Sequence, residues 1–376
     1  MANLYIHIPF CLSKCDYCSF VSYPGMAHLF DRYVEALGME FSLLNAHGRR
    51  PDTLETVFFG GGTPSLLSAD HISALLTRCR QRFEMREDAE ISLELNPKTA
   101  DFMKMIALKE SGINRVSIGV QSFIDRELQH LGRVHNAQEA LDAVEMARNS
   151  GIAAVNIDLI SGIPGQTLDS WLWNLQTAIT LKPDHLSLYQ LSVEEGTPFH
   201  AQRAQGRLVL PDEDEIERID AVTPEVCRAA DFWQYEISNF ARPGFECRHN
   251  INYWLNQEYY GIGAGAVRYL AGERVKNVED PLVYCEKIER GDSAVVDREK
   301  LDSEASFRES VIMGLRMVTG ISSEHLFSRY GIDLQLYYGE ALEKLLTLKL
   351  VEFEKPYLRL TAKGRALANQ VMADLV

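Results

Sequence analysis

The sequence predicts an α/β protein, a partial (β/α)6 barrel of the TIM type followed by a smaller, mostly helical domain with a winged-helix-like pattern. Three observations support this fold class. Segments with strand-like and helix-like hydrophobic spacing alternate through six units, as in parallel sheets with right-handed crossovers. The alternation fails after Ser192, which favours an open partial barrel over a full eightfold one. Residues 304–376 then change to helices with one hairpin.

Size and composition are those of an ordinary globular protein. A chain of 376 residues is long enough for one large domain and a smaller one. Its 46% apolar residues contain no run that could cross a bilayer, and we expect neither a transmembrane segment nor a secretion signal. The formal net charge of −15 argues against nucleic-acid binding. Seven cysteines, three of them clustered, indicate a reducing compartment, so we expect a cytoplasmic protein.

The predicted barrel elements follow one another in a regular order. The strands are Leu4–Ile8, Thr56–Phe59, Ile91–Leu95, Arg115–Val120, Val155–Ile160 and His185–Leu191. The helices are Asp31–Leu44, His71–Phe83, Thr99–Ser111, Ala137–Ser150 and Leu168–Leu181. Gly112 and Gly151 directly follow two of these helices, where a left-handed residue often ends a helix.

Less regular elements are predicted after Ser192. They are a loop with a short helix at Glu194–Pro211, a helix opened by the acidic run Asp212–Glu217, a strand at Gln234–Ile237, a glycine-rich loop at Gly261–Ala266 and a linker at Gly291–Asp302. We therefore divide the chain into a barrel at residues 1–240, a connecting segment at 241–303 and a carboxyl-terminal domain at 304–376.

The carboxyl-terminal domain shows a winged-helix-like pattern. Its predicted elements are helices at Phe307–Met317, Ser322–Tyr330 and Leu336–Leu348, a hairpin at Val351–Leu360 and a last helix from Thr361. Such domains often bind DNA, but residues 301–376 hold 9 Lys and Arg against 10 Asp and Glu. A surface that neutralises phosphates is thus missing, and we expect a packing or partner-binding module.

Three cysteines follow the first strand in the stretch YIHIPFCLSKCDYCSF. Cys11, Cys15 and Cys18 form a C-x3-C-x2-C pattern with no obvious fourth ligand. Zinc sites and fully protein-held [4Fe–4S] clusters usually take four protein ligands. Three thiolates therefore suggest a cubane cluster with one open iron, although the spacing also allows another metal. The pattern resembles the radical S-adenosylmethionine (SAM) superfamily, in which SAM chelates that open iron.

Suitable polar or glycine residues follow the other strands. Ligands bind at the carboxyl ends of barrel strands, so the residues at these ends are the candidates for a binding site. The segment Gly60-Gly61-Gly62-Thr63-Pro64 lets backbone approach a ligand closely and resembles the segment that holds the SAM amino group. Glu94 and Gln121 could bind ribose hydroxyls, and Arg133 could pair with the SAM carboxylate. Asp158 places an acid on the fifth strand.

Several motifs together narrow the resemblance. YIHIPFC, FFGGGTPS, LELNP, GVQSF, LGRVH and NIDLISGIPGQT resemble the oxygen-independent coproporphyrinogen III oxidase-like family of radical SAM proteins over nearly the whole chain. The resemblance implies that Cys11, Cys15 and Cys18 hold the cluster. It implies SAM binding by Tyr5, Gly61, Gly62, Thr63, Glu94, Gln121, Arg133 and Asp158, with Ser192 and Val267 as less secure matches. No catalytic residue is assigned.

Two features separate the branches of that family. The dehydrogenase branch resembles C-x3-C-x2-C-x-C with an amino-terminal extension, whereas this sequence has Phe20 at the fourth position and only Met1 to Asn3 before Leu4. His249-Asn250-Ile251-Asn252-Tyr253-Trp254 matches the H-N-x-x-Y-W motif of the haem chaperone branch. This resemblance implies a protein that binds haem and delivers it to respiratory proteins, which are membrane-bound in that family.

The motif has a physical interpretation as a haem site. Neutral imidazole is a common axial ligand, so His249 could bind haem iron while Tyr253 and Trp254 stack on the porphyrin. Alternatively, the histidine caps a turn and the aromatic residues belong to the core. Tyr253, Cys247 or a distant residue could also supply the iron bond.

Two rival functions stay open at this point. One is the oxygen-independent oxidative decarboxylation of coproporphyrinogen III, against which Phe20 speaks. The other is radical SAM catalysis on a different substrate, which would leave His249–Trp254 without a role. Whether SAM is turned over is not decided by the sequence.

Overall fold

The structure is a computed structural model that describes residues 2–44, 53–99 and 101–376. Met1 of the amino terminus, and residue 100 within the helix predicted at Thr99–Ser111, lie outside the described residues. Most of the predicted elements are found within a few residues of their expected bounds.

Six parallel strands form the predicted barrel sheet, and their order in the sheet is their order in the chain. They are β1 (Ala2–Ile8), β2 (Thr53–Gly61), β3 (Glu84–Leu95), β4 (Arg115–Gln121), β5 (Ala154–Ser161) and β6 (His185–Gln190). Each is parallel to its neighbour, which confirms the partial (β/α)6 fold.

Three further strands extend the sheet at its two edges. They are β7 (Trp233–Gln234), β8 (Asn239–Ala241) and β9 (Tyr260–Ile262). β8 is antiparallel to β6 and to β7. The strand predicted at Gln234–Ile237 is therefore mostly wrong, because β7 ends at Gln234 and β8 begins only at Asn239. β9 is parallel to β1, with Gly261 opposite Tyr5. The prediction of a loop at Gly261–Ala266 is therefore wrong for its first two residues.

Helices cover the outside of the sheet. Before the carboxyl-terminal domain they are α1 (Phe30–Leu43), α2 (Ala69–Arg82), α3 (Phe102–Ser111), α4 (Asp125–His130), α5 (Ala137–Asn149), α6 (Leu168–Thr180), α7 (Pro198–Ala204), α8 (Glu213–Ala229), α9 (Arg248–Trp254) and α10 (Pro281–Glu289). Three 3-10 turns lie at Ala27–Leu29, Pro64–Leu66 and Pro97–Thr99. The acidic run does open a helix, since Asp212 accepts a hydrogen bond from the Glu215 amide at 2.8 Å at the start of α8.

The alternation of side chains along β1 separates the core from the barrel interior. Leu4, Ile6 and Ile8 are fully buried in the apolar core that the helices cover. Successive side chains of a strand point to opposite faces, so Tyr5 and His7 point into the barrel. The same alternation aims the polar side chains of the neighbouring strands at the interior, and this is what builds the site.

The segment between barrel and carboxyl-terminal domain holds a small antiparallel sheet. Its strands are β10 (Val267–Leu270), β11 (Glu273–Asn277) and β12 (Val295–Lys300). The interpretation of Gly291–Asp302 as a linker is therefore wrong, because β12 pairs with β11 over most of that stretch. The domain boundaries at 241–303 stay a prediction.

The carboxyl-terminal domain has the predicted winged-helix-like arrangement. Its elements are α11 (Ser303–Gly314), β13 (Ile321–Ser322), α12 (Ser323–Tyr330), α13 (Leu334–Thr347), β14 (Val351–Glu354), β15 (Tyr357–Leu360), α14 (Ala362–Ala366) and α15 (Ala368–Ala373). They enclose a separate apolar cluster around Phe307, Val311 and Leu345. Among the described helices of the chain, none combines the length and apolar character needed to span a bilayer.

Candidate functional site at the barrel mouth

The cysteine loop leaves β1 at the carboxyl-terminal end of the barrel. Two-residue strands, Phe10–Cys11 and Tyr23–Pro24, close its base. The Asp16 amide donates to the Leu131 carbonyl at 3.2 Å, which ties the loop to the segment after α4. Burial raises the pKa of the Cys18 thiol, and the neighbouring Cys15 and Cys11 add to this effect. The three sulfur atoms therefore lie close enough to one another to interact.

Polar side chains adjoin two of the three thiols. Within residues 2–44, 53–99 and 101–376, no three His, Cys, Asp or Glu side chains are grouped to hold one metal ion. In a four-iron cubane each thiolate binds a different iron atom, so the ligands need not converge on one point. Cys11 Sγ lies 3.5 Å from Thr63 Oγ1, and Cys15 Sγ accepts a hydrogen bond from Arg133 Nη1 at 3.4 Å. These donors suit thiolate ligands.

A cavity of about 490 Å³ opens beside the cysteine loop at the strand ends. The structure brings most of the predicted site residues together in its wall. These are Cys11, Cys15, Cys18, Gly61, Gly62, Thr63, Glu94, Gln121, Arg133 and Asp158. Ser192 also lines the cavity, whereas Tyr5, His249 and Val267 do not. That these residues bind a cluster or SAM stays a prediction.

The glycine segment after β2 is required by close packing. Gly61 has a φ of +114°, and a Cβ there would lie 2.5 Å from the His7 ring. A Cβ on Gly62 would lie 2.6 Å from the carbonyl oxygen of Phe10, the residue before the first cysteine. The Gly61 amide donates to Glu94 Oε2 at 2.9 Å. Only glycines let β2 approach both the cysteine loop and β3 so closely.

Two buried carboxyl groups face the cavity from β3 and β5. Burial, together with the nearby Asp158 carboxylate, raises the pKa of Glu94 to about 8. Burial also raises the pKa of Asp158, although Ser117 at 3.1 Å and Asn156 at 2.7 Å donate hydrogen bonds to it. Such a pair can accept hydrogen bonds from ribose hydroxyls and attract a cationic ligand.

The end of β4 is bent to aim Gln121 at the cavity. Gln121 has a φ of +68°, which is unfavourable for a residue with a side chain, and the pairing register with β5 shifts between Gly119 and Gln121. A Cβ on Gly119 would lie 2.9 Å from the side-chain nitrogen Nε2 of Gln121, so any larger residue at position 119 would force this side chain to shift. A strand irregularity of this kind is a common way to redirect a side chain beside a binding site.

Arg133 is held rigidly and keeps one donor free. Its Nη2 donates to the Gly119 carbonyl at 2.6 Å, in addition to the contact with Cys15. Its buried Nε finds no hydrogen-bond partner among the described residues. A guanidinium positioned in this way is suited to bind a carboxylate of a ligand.

Tyr5 and His7 form a short relay under the cysteine loop. His7 Nε2 must donate to the Val21 carbonyl at 2.9 Å, so its Nδ1 accepts from the Tyr5 hydroxyl, also at 2.9 Å. Tyr5 thus acts on the loop through His7 and does not line the cavity. His7 was not among the predicted site residues. The regular alternation of polar residues along β1 was the signal that could have revealed this role.

The cavity floor contains polar residues that sequence analysis also missed. They are Arg115, Ser117, Asn156, His185, Ser187 and Tyr189, at alternate positions of β4, β5 and β6. His185 Nδ1 lies 2.7 Å from Asn156 Oδ1, and its Nε2 lies 2.9 Å from the Tyr235 hydroxyl. The interior-facing period of two along these strands would have indicated this layer.

The helix of the H-N-x-x-Y-W motif closes the opposite end of the barrel. Asn3, Thr56 and Glu90 lie side by side in the register of β1, β2 and β3, near the starts of the first two strands. Glu90 accepts hydrogen bonds from the Arg248 and His249 amides at 2.9 and 3.2 Å, which fixes the amino terminus of α9 to the barrel. The motif is therefore part of the barrel floor, and its Asn250, together with Cys247, lines the inner end of the cavity.

Both ring nitrogens of His249 are engaged. Thr56 donates its hydroxyl proton to Asn3 at 2.7 Å, so His249 Nδ1 must donate to Thr56 Oγ1 at 2.6 Å. His249 Nε2 then accepts from the Tyr253 hydroxyl at 3.0 Å. The side chain is 1% exposed, and burial lowers its pKa to about 3. An iron bond to His249 would require the Tyr253 hydrogen bond to break, and its role as axial ligand stays a prediction.

Tyr253 and Trp254, the aromatic residues of the motif, also contact other side chains of the protein. Tyr253 packs edge-on against Tyr259, with ring centroids 4.7 Å apart. The guanidinium of Arg316 lies 4.4 Å from the Trp254 ring, and this arginine pairs with the fully buried Glu236 at 3.6 Å. Trp254 thus joins the barrel to the carboxyl-terminal domain. Each ring thus already has a protein partner on one side, Tyr259 for Tyr253 and Arg316 for Trp254.

Cys247 is a buried thiol beside this helix. Burial and the nearby Glu90 carboxylate raise its pKa to about 12. It donates to Glu90 Oε1 at 3.4 Å. Metal ligands are thiolates, so a buried thiol that stays protonated and donates a hydrogen bond favours a structural role for Cys247 over a role as metal ligand.

Two family models match the chain. The radical SAM superfamily matches residues 5–176, and the HemN C-terminal domain matches residues 301–367. The first range covers the cysteine loop and the cavity residues of β2 to β5 but ends before β6, and the second covers most of the winged-helix-like domain.

Relatives and a solved structure agree with these matches. The chain is 36% identical over 372 residues to the haem chaperone HemW of Bacillus subtilis, covering 99% of this chain and 98% of that protein. It is 42% identical over 267 residues to the HemW of Escherichia coli, covering 70% of this chain and 69% of that protein. The coproporphyrinogen III oxidase HemN of Escherichia coli, a radical SAM enzyme, superimposes with a TM-score of 0.85 at 26% identity, covering 100% of this chain and 90% of that one.

The radical SAM superfamily implies SAM and a [4Fe–4S] cluster as cofactors, which agrees with the three cysteines and the adjoining cavity. On the strength of the relatives that match along its whole length, the chain belongs to the HemW family of radical SAM proteins.

Proposed function

We propose that the protein is a cytoplasmic haem chaperone that binds haem and a SAM-ligated [4Fe–4S] cluster and delivers haem to respiratory proteins, membrane-bound ones in particular. The observation that supports this most strongly is the 36% identity, over 99% of the chain, to a protein named as a haem chaperone. The cavity beside the cysteine loop supports the cofactor part of the proposal, since it collects the residues needed for both groups.

In this proposal Cys11, Cys15 and Cys18 hold the cluster. When bound, the cluster would offer one open iron to SAM and could supply an electron to it. The hydrogen bond from Arg133 to Cys15 and the contact of Thr63 with Cys11 would orient two of the thiolates. The Tyr5–His7 relay would hold the far end of the loop through Val21.

The cavity residues would position SAM. The guanidinium of Arg133 lines the cavity and would pair with the carboxylate of SAM. The Gly61–Thr63 backbone would take the amino group, and Gln121 would bind the ribose. Glu94, with a pKa of about 8, is largely protonated at neutral pH, so it can donate as well as accept a hydrogen bond at a ribose oxygen.

The competing assignment is coproporphyrinogen III dehydrogenase, and it is not favoured. The HemN structure shares the fold over the whole chain, but identity to it is 26%, below that to the HemW relatives. At the position where the dehydrogenase pattern has a fourth cysteine, this chain has Phe20, which is 66% exposed on the rim of the cavity.

One set of measurements tests the proposal. The full-length protein is reconstituted anaerobically with iron and sulfide, and electron paramagnetic resonance is recorded with and without SAM, followed by haem titration monitored by absorbance. We expect a paramagnetic resonance signal typical of a four-iron cluster, and we expect this signal to change when SAM is added. Haem binding should be saturable in the titration. Incubation with coproporphyrinogen III, SAM and a reductant is the control. Formation of protoporphyrinogen IX, or failure to bind haem, would contradict the chaperone function.

A further inference from the structure

The rim of the barrel mouth carries large apolar side chains that the cofactor site does not use. Phe20 is 66% exposed and Leu12 is 50% exposed, and both lie on the cysteine loop and line the cavity. Side chains of this size are rarely left in water beside a polar site unless a ligand or partner covers them. The glycines, amides and acids deeper in the cavity suit SAM, and they leave this apolar rim without a function.

A cation lies next to these side chains. Lys14 is exposed, and its Nζ donates to the backbone carbonyl of Phe20 at 3.1 Å, which holds the ammonium group at the residue that carries the phenyl ring. On the same mouth Glu194 is exposed and lines the cavity, and Glu94 and Asp158 lie deeper. An amphipathic anion would therefore turn its charged end towards Lys14 and away from these acids.

We propose that haem docks on this rim, with one porphyrin face against Phe20 and Leu12 and a propionate paired with Lys14. The inference rests on the proposed haem-chaperone function and assigns the site at which it acts. Haem is flat, apolar on both faces and anionic at one edge, which matches an exposed aromatic and aliphatic pair flanked by one ammonium group.

The structure also explains why the rim is the better candidate than the motif helix. His249 is 1% exposed with both ring nitrogens engaged, and Trp254 packs against Arg316. Asn250 of that helix lines the inner end of the cavity, but His249 does not, and haem could reach the His249 ring only if the barrel floor opened. The rim needs no rearrangement, and a ligand held there stays accessible to a protein that receives it.

The test is haem titration of the anaerobically reconstituted full-length protein, monitored by absorbance. We expect F20S to weaken haem binding by about tenfold, since the variant loses the burial of an aromatic side chain, and L12S to weaken it by a few-fold, about three- to tenfold. Trp173→Ser is the matched control, because Trp173 is 63% exposed on α6 and does not line the cavity. It should bind haem as the unmodified protein does.

The ammonium group is tested separately. We expect K14Q to weaken binding of haem by about three- to tenfold and K14R to bind haem as the unmodified protein does. K14Q should have no effect on binding of the dimethyl ester of haem, whose propionates are uncharged.

A further control shows that the cysteine loop is intact in F20S and L12S. Iron and sulfide content, and the SAM-induced change of the cluster signal, should be unaltered in both variants.

The outcomes separate the site from the function. Binding of haem by the unmodified protein, with F20S and L12S within twofold of it, would overturn the rim site and leave the chaperone function in place. Loss of haem transfer to an acceptor in F20S at undiminished haem affinity would also overturn it and would identify the rim as a protein-docking surface. Absence of haem binding by the unmodified protein would reject the proposed function itself.

Discussion

Replacing Gly62 with alanine tests the packing of β2 against the cysteine loop. The added Cβ would lie 2.6 Å from the Phe10 carbonyl oxygen and 3.0 Å from the Phe10 carbonyl carbon and amide nitrogen, whereas ordinary contact begins at 3.4 Å. The obstacle is backbone on a buried strand, so it cannot rotate away. Either the end of β2 or the residue that precedes Cys11 must move by several tenths of an ångström.

The expected magnitude follows from this overlap. Overpacking of a well-packed site typically costs about 1–3 kcal/mol of unfolding free energy. Because Phe10 is bonded to Cys11, we also expect reduced cluster incorporation and weaker SAM binding in G62A. Urea denaturation of the apo protein measures the stability loss, and iron and sulfide analysis after reconstitution measures cluster content.

Gly38→Ala is the control for G62A. Gly38 lies inside α1, and a Cβ there would meet only the Arg78 side chain at 3.7 Å. Since alanine is favoured over glycine in a helix by about 0.5–1 kcal/mol, G38A should be neutral or stabilising with full cluster content. If G62A unfolds at the urea concentration of the unmodified protein and loads a complete cluster, the argument from close packing is refuted.

Three further predictions concern single side chains of the barrel. Because the pKa of Glu94 is raised to about 8 from an ordinary value near 4.5, its contribution to the stability of the apo protein is present at low pH and is lost as pH rises towards and through 8. Urea denaturation should show this slope between pH 5 and 8, and E94Q should flatten it; an unchanged slope would contradict the burial of this carboxyl group. R133M should weaken SAM binding by about 10–100-fold through loss of a charged hydrogen bond, with R133K intermediate, as measured by isothermal titration of the reconstituted protein. H249A should lower the unfolding free energy by about 2–4 kcal/mol, since it leaves a cavity and removes the partners of Thr56 and Tyr253. If H249A instead keeps its stability and loses haem binding, His249 is a haem ligand and the rim site is wrong.

The barrel strands and many of the residues at their carboxyl ends could be predicted from local sequence patterns. Strand positions follow from runs such as those at β1 and β5, and ligand residues were placed by the rule that barrel sites lie at the carboxyl ends of strands. Glu94 and Asp158 were singled out in this way, and the structure places both in the cavity wall. The rule needs only chain order and strand direction, so it does not depend on the details of packing.

The predictions that were wrong concern strands whose pairing partner is distant in the sequence or is not indicated by their own residues. β9 is only three residues long, and it forms because β1 offers an unpaired edge. The two strands are more than 250 residues apart in the chain, and the glycine-rich sequence of β9 does not indicate this pairing. β12 was taken for a linker for the same reason, since its pairing with β11 and not its own polar sequence makes it a strand.

The sequence by itself determined the order of strands and helices, the clustered thiols and the family, because these depend on periodicity, spacing and motif identity along the chain. The tertiary structure alone decided which chemistry each motif residue can perform. The motif identified His249 and Trp254, but the hydrogen bonds of His249 and the stacking of Trp254 on Arg316 arise from where α9 packs. A side chain's accessibility and protonation are set by its neighbours in space, so only the tertiary structure shows that Phe20 is exposed on the rim and that His249 is buried in the floor.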